Sequence, residues 1–203
     1  MTRRSLVLAS ASPARLQTLR HAGVHPSVIV SGVDESAYAS LAPADQALAL
    51  ATAKTQAVAA LPETADALVV GCDSLLDLDG RAFGKPADAA EATERWRSMR
   101  GRSGVLVTGH CLVDNRHGTG RDAVARTTVH FADISDDEIS AYVGTGEPLH
   151  VAGAFTLDGL GGAFVTGIEG DPHNVVGISL PLLRGMLADL GVPWPSLWTN
   201  LSG

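Results

Sequence analysis

Lysine is almost missing from this chain. Of its 15 basic residues only Lys54 and Lys85 are lysines, and the other 13 are arginines. In an alanine- and glycine-rich composition that drives Lys to Arg wherever either serves, a retained lysine marks a place where a compact ammonium fits and a planar fork does not. The alternative is survival by chance. Cysteine is equally scarce: Cys72 and Cys111 are too few for a disulfide framework or a thiolate zinc site. An excess of basic charge is absent. The formal net charge of −7 excludes a generally basic nucleic-acid binder and leaves room for a local basic cleft. Long hydrophobic runs are absent too, and none approaches the ~20 residues of a membrane span. The stretch Ser5-Leu6-Val7-Leu8-Ala9, after Arg3 and Arg4, is too short for a signal-peptide core and reads as a first buried strand. The expectation is a soluble, cytoplasmic, globular protein.

What is present fits one domain over 1–203, with 45% hydrophobic residues, 22 glycines and 10 prolines. Ser12 as N-cap and Pro13 at the first helical position open a helix that ends near Gly23. Val28 to Val30 reads as a strand and Pro43 to Ala60 as a helix. Ala67 to Cys72 is a strand buried on both faces, ended by Asp73. Asp79-Gly80 joins a hairpin of Leu75 to Leu78 and Arg81 to Phe83. Asp88 and Glu91 form a capping-box-like start for a helix to Arg100. Gly104 to Asp114 pairs with Ala123 to Ala132 around the loop 115–120, and Ser135 to Glu138 caps a further helix. The glycine-rich stretch 144–177 reads as short strands and tight turns, Ile178 to Leu190 as a closing helix, and 193–203 as a loose tail. The fold class is α/β with a mixed sheet and flanking helices, and a lobe boundary is expected near 84–88.

Four places carry chemistry. Ser10-Ala11-Ser12-Pro13-Ala14-Arg15 joins a strand to a helix, where free N–H groups, two hydroxyls and an arginine make a phosphate seat. Simple capping by Ser12, with Arg15 in solvent, is the plainer alternative. Asp73 in Gly71-Cys72-Asp73-Ser74 lies where α/β sheets place ligands, fit to hold a cation or act as a base, or to cap a turn. Asp34-Glu35 can share a metal with Asp73 or form a solvated turn. Gly84-Lys85-Pro86 fixes the backbone around one lysine, while Lys54 lies on a helix face. Cys72 reads as a small buried hydrophobe, and the seven histidines show no metal-ligand spacing. Cations for phosphate and carboxylates for a metal and water describe a triphosphate site better than a sugar or peptide site.

Leu8-Ala9-Ser10-Ala11-Ser12-Pro13-Ala14-Arg15, Asp34-Glu35, Lys54, Gly71-Cys72-Asp73-Ser74, Gly84-Lys85-Pro86, Ala152-Gly153-Ala154-Phe155 and Asn174-Val175-Val176-Gly177 resemble the Maf family in order and spacing. The resemblance runs from about Leu6 to about Leu183. It implies a nucleoside triphosphate pyrophosphatase with an elongated mixed α/β fold shared with inosine triphosphatases. It also implies two lobes around a cleft, a divalent cation (Mg²⁺ or Mn²⁺) and a homodimer. Ser10, Ser12 and Arg15 fall on the family's phosphate-seat positions, and Glu35, Lys54, Asp73 and Lys85 on its polar cleft positions. Asp73 is the implied general base, and Glu35 with Asp73 the implied metal ligands. Members acting on uridine and thymidine triphosphates carry Arg, Thr and Gln where this chain has Ala14, Ser74 and Asp158. Members acting on 7-methylguanosine triphosphate carry Trp, Gln and Glu there. This chain matches neither set, so the resemblance specifies the phosphate chemistry and leaves the base open. Some members are linked to arrest of septum formation, which supplies the alternative of a non-catalytic nucleotide-binding regulator of cell division.

Overall fold

The computed structural model describes residues 4–198. β1 (Leu6–Leu8) leads into α1 (Pro13–His21), β2 (Ser27–Val28) into α2 (Pro43–Ala59), and the long β3 (Leu68–Leu78) into β4 (Arg81–Phe83). α3 (Ala89–Met99) precedes the hairpin of β5 (Ser103–Asp114) and β6 (Thr119–Phe131). α4 (Asp136–Gly144), β7 (Val165–Glu169), α5 (Pro172–Val176) and α6 (Leu180–Asp189) follow. The strands form one sheet in the order β2-β1-β3-β5-β6-β7, with β4 paired to β3. β1 runs parallel to β2 and β3, and the other pairings are antiparallel. This is the expected mixed α/β sheet with flanking helices.

Local chemistry sets most element ends. Ser12 Oγ accepts the Arg15 N–H at 3.4 Å, and Pro13 opens α1. Ser135 and Glu138 exchange both bonds of a capping box at α4. At α3 the box is shifted: Asp88 accepts the Glu91 N–H at 2.8 Å, but the Glu91 carboxylate reaches past the cap to the Ala87 N–H at 2.7 Å. Asp79 and Gly80 take φ of 55° and 81°, the left-handed pair that a two-residue hairpin requires.

Alternation along β3 builds a core on each face. Leu68, Val70 and Cys72 pack with Leu19, Leu183 and Leu187 of α1 and α6, while Val69 packs with Val7, Ala9 and Val58 on the α2 side. α2 lies close to the sheet because glycine stands beneath it. A Cβ on Gly71 would come within 2.9 Å of the Ala51 carbonyl oxygen, and one on Gly109 within 2.6 Å of Leu48 Cα. A third core surrounds the fully buried Trp96, whose ring meets Phe131, Tyr142 and Phe164 edge-on or nearly so. The Trp96 indole N–H donates to the Ala154 carbonyl at 2.8 Å.

Several expectations are corrected. Asp73 does not end its strand. β5 pairs along β3 through Asp73↔Gly109 and Ser74↔Thr108, so the ladder carries the chain past the carboxylate. The second strand is Ser27–Val28, and β6 begins at Thr119, shortening the expected loop. The stretch 144–177 holds three 3₁₀ turns, the single strand β7 and the short helix α5. The tail is not loose as far as it is described: Leu197 is buried, and Val24 bridges to Trp198. The part of that expectation covering 199–203 lies outside the described residues.

Candidate active site

β1 pairs with β3 only as far as Val70, where the Ala9 N–H donates to the Val70 carbonyl. β4 takes over the same edge at Leu76↔Phe83. Between them, residues 71–75 have no strand on that edge among the described residues, and Asp73 and Ser74 occupy this window. β1 runs into Ser10 and the N-terminus of α1 on one side of it. On the other, β4 exits through Gly84-Lys85-Pro86. A gap beyond the carboxyl end of a parallel strand is where open α/β sheets bind ligands.

Successive residues of a strand face opposite ways, so Asp73 and Ser74 recruit from opposite faces. On the α2 face, Lys54 Nζ lies 2.6 Å from Asp73 Oδ1 and 2.6 Å from Glu35 Oε1. On the α1 face, each of the three guanidinium nitrogens of Arg15 donates one N–H, which leaves two of its five for a ligand. It donates to Ser10 Oγ at 3.0 Å, to Ser74 Oγ at 3.0 Å and to the Gly177 carbonyl at 2.7 Å. Ser10 Oγ also accepts the Ser12 N–H at 3.2 Å. Gly177 takes φ of 119° and lies against the Arg15 side chain, so glycine is required there. Arg15 is therefore a structural keystone of the seat, and the plainer expectation of an arginine in solvent fails.

Asp73 is buried, and desolvation pushes its carboxyl above the usual carboxylate range, with Lys54 and Arg15 pulling the other way. A carboxylate of raised proton affinity beside two cations suits a proton acceptor. The Cys72 thiol is pushed up to about 12 by burial, which excludes it as a nucleophile. Lys85 is exposed, and its ammonium makes no hydrogen bond or ion pair among the described residues. Ala14 lies in the first turn of α1, and Asp158 is exposed in the loop before the turn Leu160–Phe164. Among the described residues no hydrogen bond or ion pair joins either to the cluster.

Thr108 was not legible as part of the site. Its Oγ1 lies 3.0 Å from Ser74 Oγ and 3.3 Å from the Asn174 carbonyl, tying the seat to α5. The available signal was a threonine on an apolar strand, at the register position opposite Ser74. Among the described residues no three His, Cys, Asp or Glu side chains converge as a protein-only metal cage would. An open depression of about 460 Å³ on the outer face of α2 is lined by Asp45 and Asp122 and by no basic residue, and so does not fit a polyphosphate. No helix among the described residues is long and apolar enough to cross a membrane.

The family model described as Maf-like protein matches residues 5–190. A Streptomyces coelicolor protein named nucleoside triphosphate pyrophosphatase is 62% identical over 97% of this chain and 95% of its own length. Proteins of the same name from Salinispora tropica and Nocardia farcinica are 61% and 57% identical, over 96% and 97% of this chain and 88% and 97% of their own lengths.

Proposed function

The chain belongs to the Maf-like protein family, and we propose on that premise that it is a nucleoside triphosphate pyrophosphatase. It hydrolyses the α–β phosphoanhydride of a nucleotide and releases nucleoside monophosphate and pyrophosphate. One observation carries the reading: the Arg15 seat and the Lys54–Asp73 pair reach the same strand window from opposite faces of the sheet. The relatives' enzymatic name favours catalysis over a regulator that only binds nucleotide.

Ser10, Ser12 and Arg15 would seat phosphate oxygens with the α1 N-terminus, and Lys54 and Lys85 would neutralise further charge. Asp73 takes a proton from water as the water oxygen bonds to the α-phosphorus. The α-phosphorus–bridging oxygen bond breaks, and that electron pair leaves on pyrophosphate. A phosphate that draws Lys54 toward itself leaves Asp73 free to accept the proton.

The donor set fits a divalent cation shared with the substrate. Glu35 and Asp73 already converge on one cationic nitrogen, and Mg²⁺ asks for one or two carboxylates with phosphate and water completing its shell. Glu35 and Asp73 would hold Mg²⁺ or Mn²⁺, which would supply charge neutralisation that Arg15 and the two lysines leave incomplete. Ala14, Ser74 and Asp158 would face the base, where Asp158 can accept an amino or imino N–H. A cytoplasmic location is consistent with Cys72 and Cys111 both being free and buried. A homodimer is the expected assembly.

The test is a panel of standard and modified nucleoside triphosphates with Mg²⁺ or Mn²⁺, read as pyrophosphate release. Orthophosphate and diphosphate as the sole products would overturn the reaction. Nucleotide binding with no turnover across the panel would put the regulator ahead.

A further inference from the structure

Lys85 is exposed and its ammonium is unpaired among the described residues, yet the backbone on either side of it is tied down. Arg95, one of the few buried charged side chains, is only 8% exposed. Its guanidinium donates to the Gly84 carbonyl at 2.5 Å and to the Lys85 carbonyl at 3.4 Å. The Gly153 N–H donates to the same Gly84 carbonyl at 3.0 Å. Glu91 completes the clamp: one carboxylate oxygen takes Arg95 Nη2 at 2.6 Å, and the other takes the Ala87 N–H at 2.7 Å. Arg95 also lies over the Phe83 ring, 5.2 Å from its centroid, at the last residue of β4. Pro86 is buried and holds the residue before it extended. Gly84, Lys85 and Ala87 are thus each held through a main-chain atom, while the Lys85 head stays uncommitted.

We propose that Arg95 and Glu91 are positioning residues for Lys85, a clamp from α3 that aims the lysine stem across the open window of β3. Continuing the antiparallel register past Leu76↔Phe83 brings Gly84 beside Leu75, and an ideal Cβ on Gly84 would lie 3.5 Å from Leu75 Cδ2. Lys85 is next, opposite the stretch that holds Asp73 and Ser74. A flexible four-carbon stem reaches a defined oxygen only if its Cα direction is fixed, and here the fixing is done by main-chain hydrogen bonds from a neighbouring helix. Burying a guanidinium is unfavourable unless its charge is paired and its donors are used. Arg95 meets both conditions through Glu91 and two carbonyls, one of them that of Lys85. The inference rests on Lys85 serving the polyphosphate, as proposed above.

The test is a double-mutant cycle with Arg95→Met, Lys85→Ala and the double variant, measured as kcat/KM for pyrophosphate release alongside melting temperature. Arg95→Met should lose roughly 10-fold in the wild-type background, within what misplacement of a positioned group costs. In the Lys85→Ala background the same change should lose less than about 2-fold. The melting temperature should fall equally in both backgrounds, which separates positioning from stability. Arg95→Lys keeps the charge but not the fork, and should lose activity like Arg95→Met. Should Arg95→Met fail to fold, Glu91→Ala reads the same coupling, because it removes the acceptor of the Ala87 N–H and the partner of Arg95. Equal fold-losses in both backgrounds overturn the clamp. Wild-type turnover in Arg95→Lys overturns its geometry. Wild-type turnover in Lys85→Ala is the distinct failure of the underlying reading of Lys85, and it removes the proposal with it.

Discussion

Replacing Asp73 with Asn separates catalysis from folding at one atom. Asn keeps the volume and an oxygen, so the hydrogen bond from Lys54, 2.6 Å in the parent, can persist. What is lost is the charge that takes a proton or holds a metal. Turnover should fall by ~10²–10⁴, about 2.7–5.4 kcal/mol of transition-state stabilisation. Stability should move the opposite way. The folded-state pKa of Asp73 is raised, chiefly by desolvation. Its contribution is therefore present below the unfolded pKa and lost as pH rises through the folded one, so at neutral pH the ionised carboxylate weakens the fold. Asn cannot ionise and escapes that penalty. The expected sign is a rise in Tm. Nucleotide should also bind more tightly, because a carboxylate facing polyphosphate is repulsive. The assays are single-turnover pyrophosphate release and thermal melting at pH 7. Raising the metal concentration should recover part of the lost rate if Asp73 also holds the ion, and none if it is only a base. A folded Asp73→Asn protein with near-normal turnover would refute the catalytic role. A clearly lower Tm would refute the desolvation argument.

Lys85→Arg keeps the charge but substitutes a fork for a compact ammonium, and should cost ~10-fold or more in kcat/KM; wild-type kinetics would return Lys85 to chance survival. Excess chelator should abolish turnover, with Mg²⁺ or Mn²⁺ restoring it, since Glu35 and Asp73 are both within reach of one cation; full activity in chelator sinks the metal proposal. His110 is fully buried, its Nδ1–H donating to the Thr108 carbonyl at 3.0 Å and its Nε2 accepting the Ser179 N–H at 2.8 Å. Burial pulls its pKa down from 6.5 to about 4, so stability from the neutral ring is present above the unfolded value and lost as pH falls from 6.5 toward 4. Urea titrations should show a loss on the order of 3 kcal/mol across that window, absent in His110→Gln; the same slope in both proteins would remove His110 as its source.

The amino-acid sequence alone determined what is decided within a turn of chain. Ser12-Pro13 opens α1, Asp79-Gly80 makes the hairpin, and Ser135 with Glu138 caps α4, because each rests on bonds or backbone preferences a few residues long. The scarcity of lysine singled out Lys54 and Lys85, and the run Gly71-Cys72-Asp73-Ser74 singled out Asp73, because those residue types carry the chemistry wherever they lie. What those side chains meet was decided by the tertiary structure. Arg15 reads locally as a helix residue that solvent could hold, and its strongest partner is the carbonyl of Gly177, 162 residues away. Asp73 reads as the end of an apolar run, yet β5 carries its strand onward, and a gap between β1 and β4 exposes its edge. Thr108 and Arg95 carry no local mark of such a role, and Glu91 is marked locally only as part of a helix start. Their roles come from sheet register and from the approach of α3, which depend on the packing of the whole core rather than on any short segment.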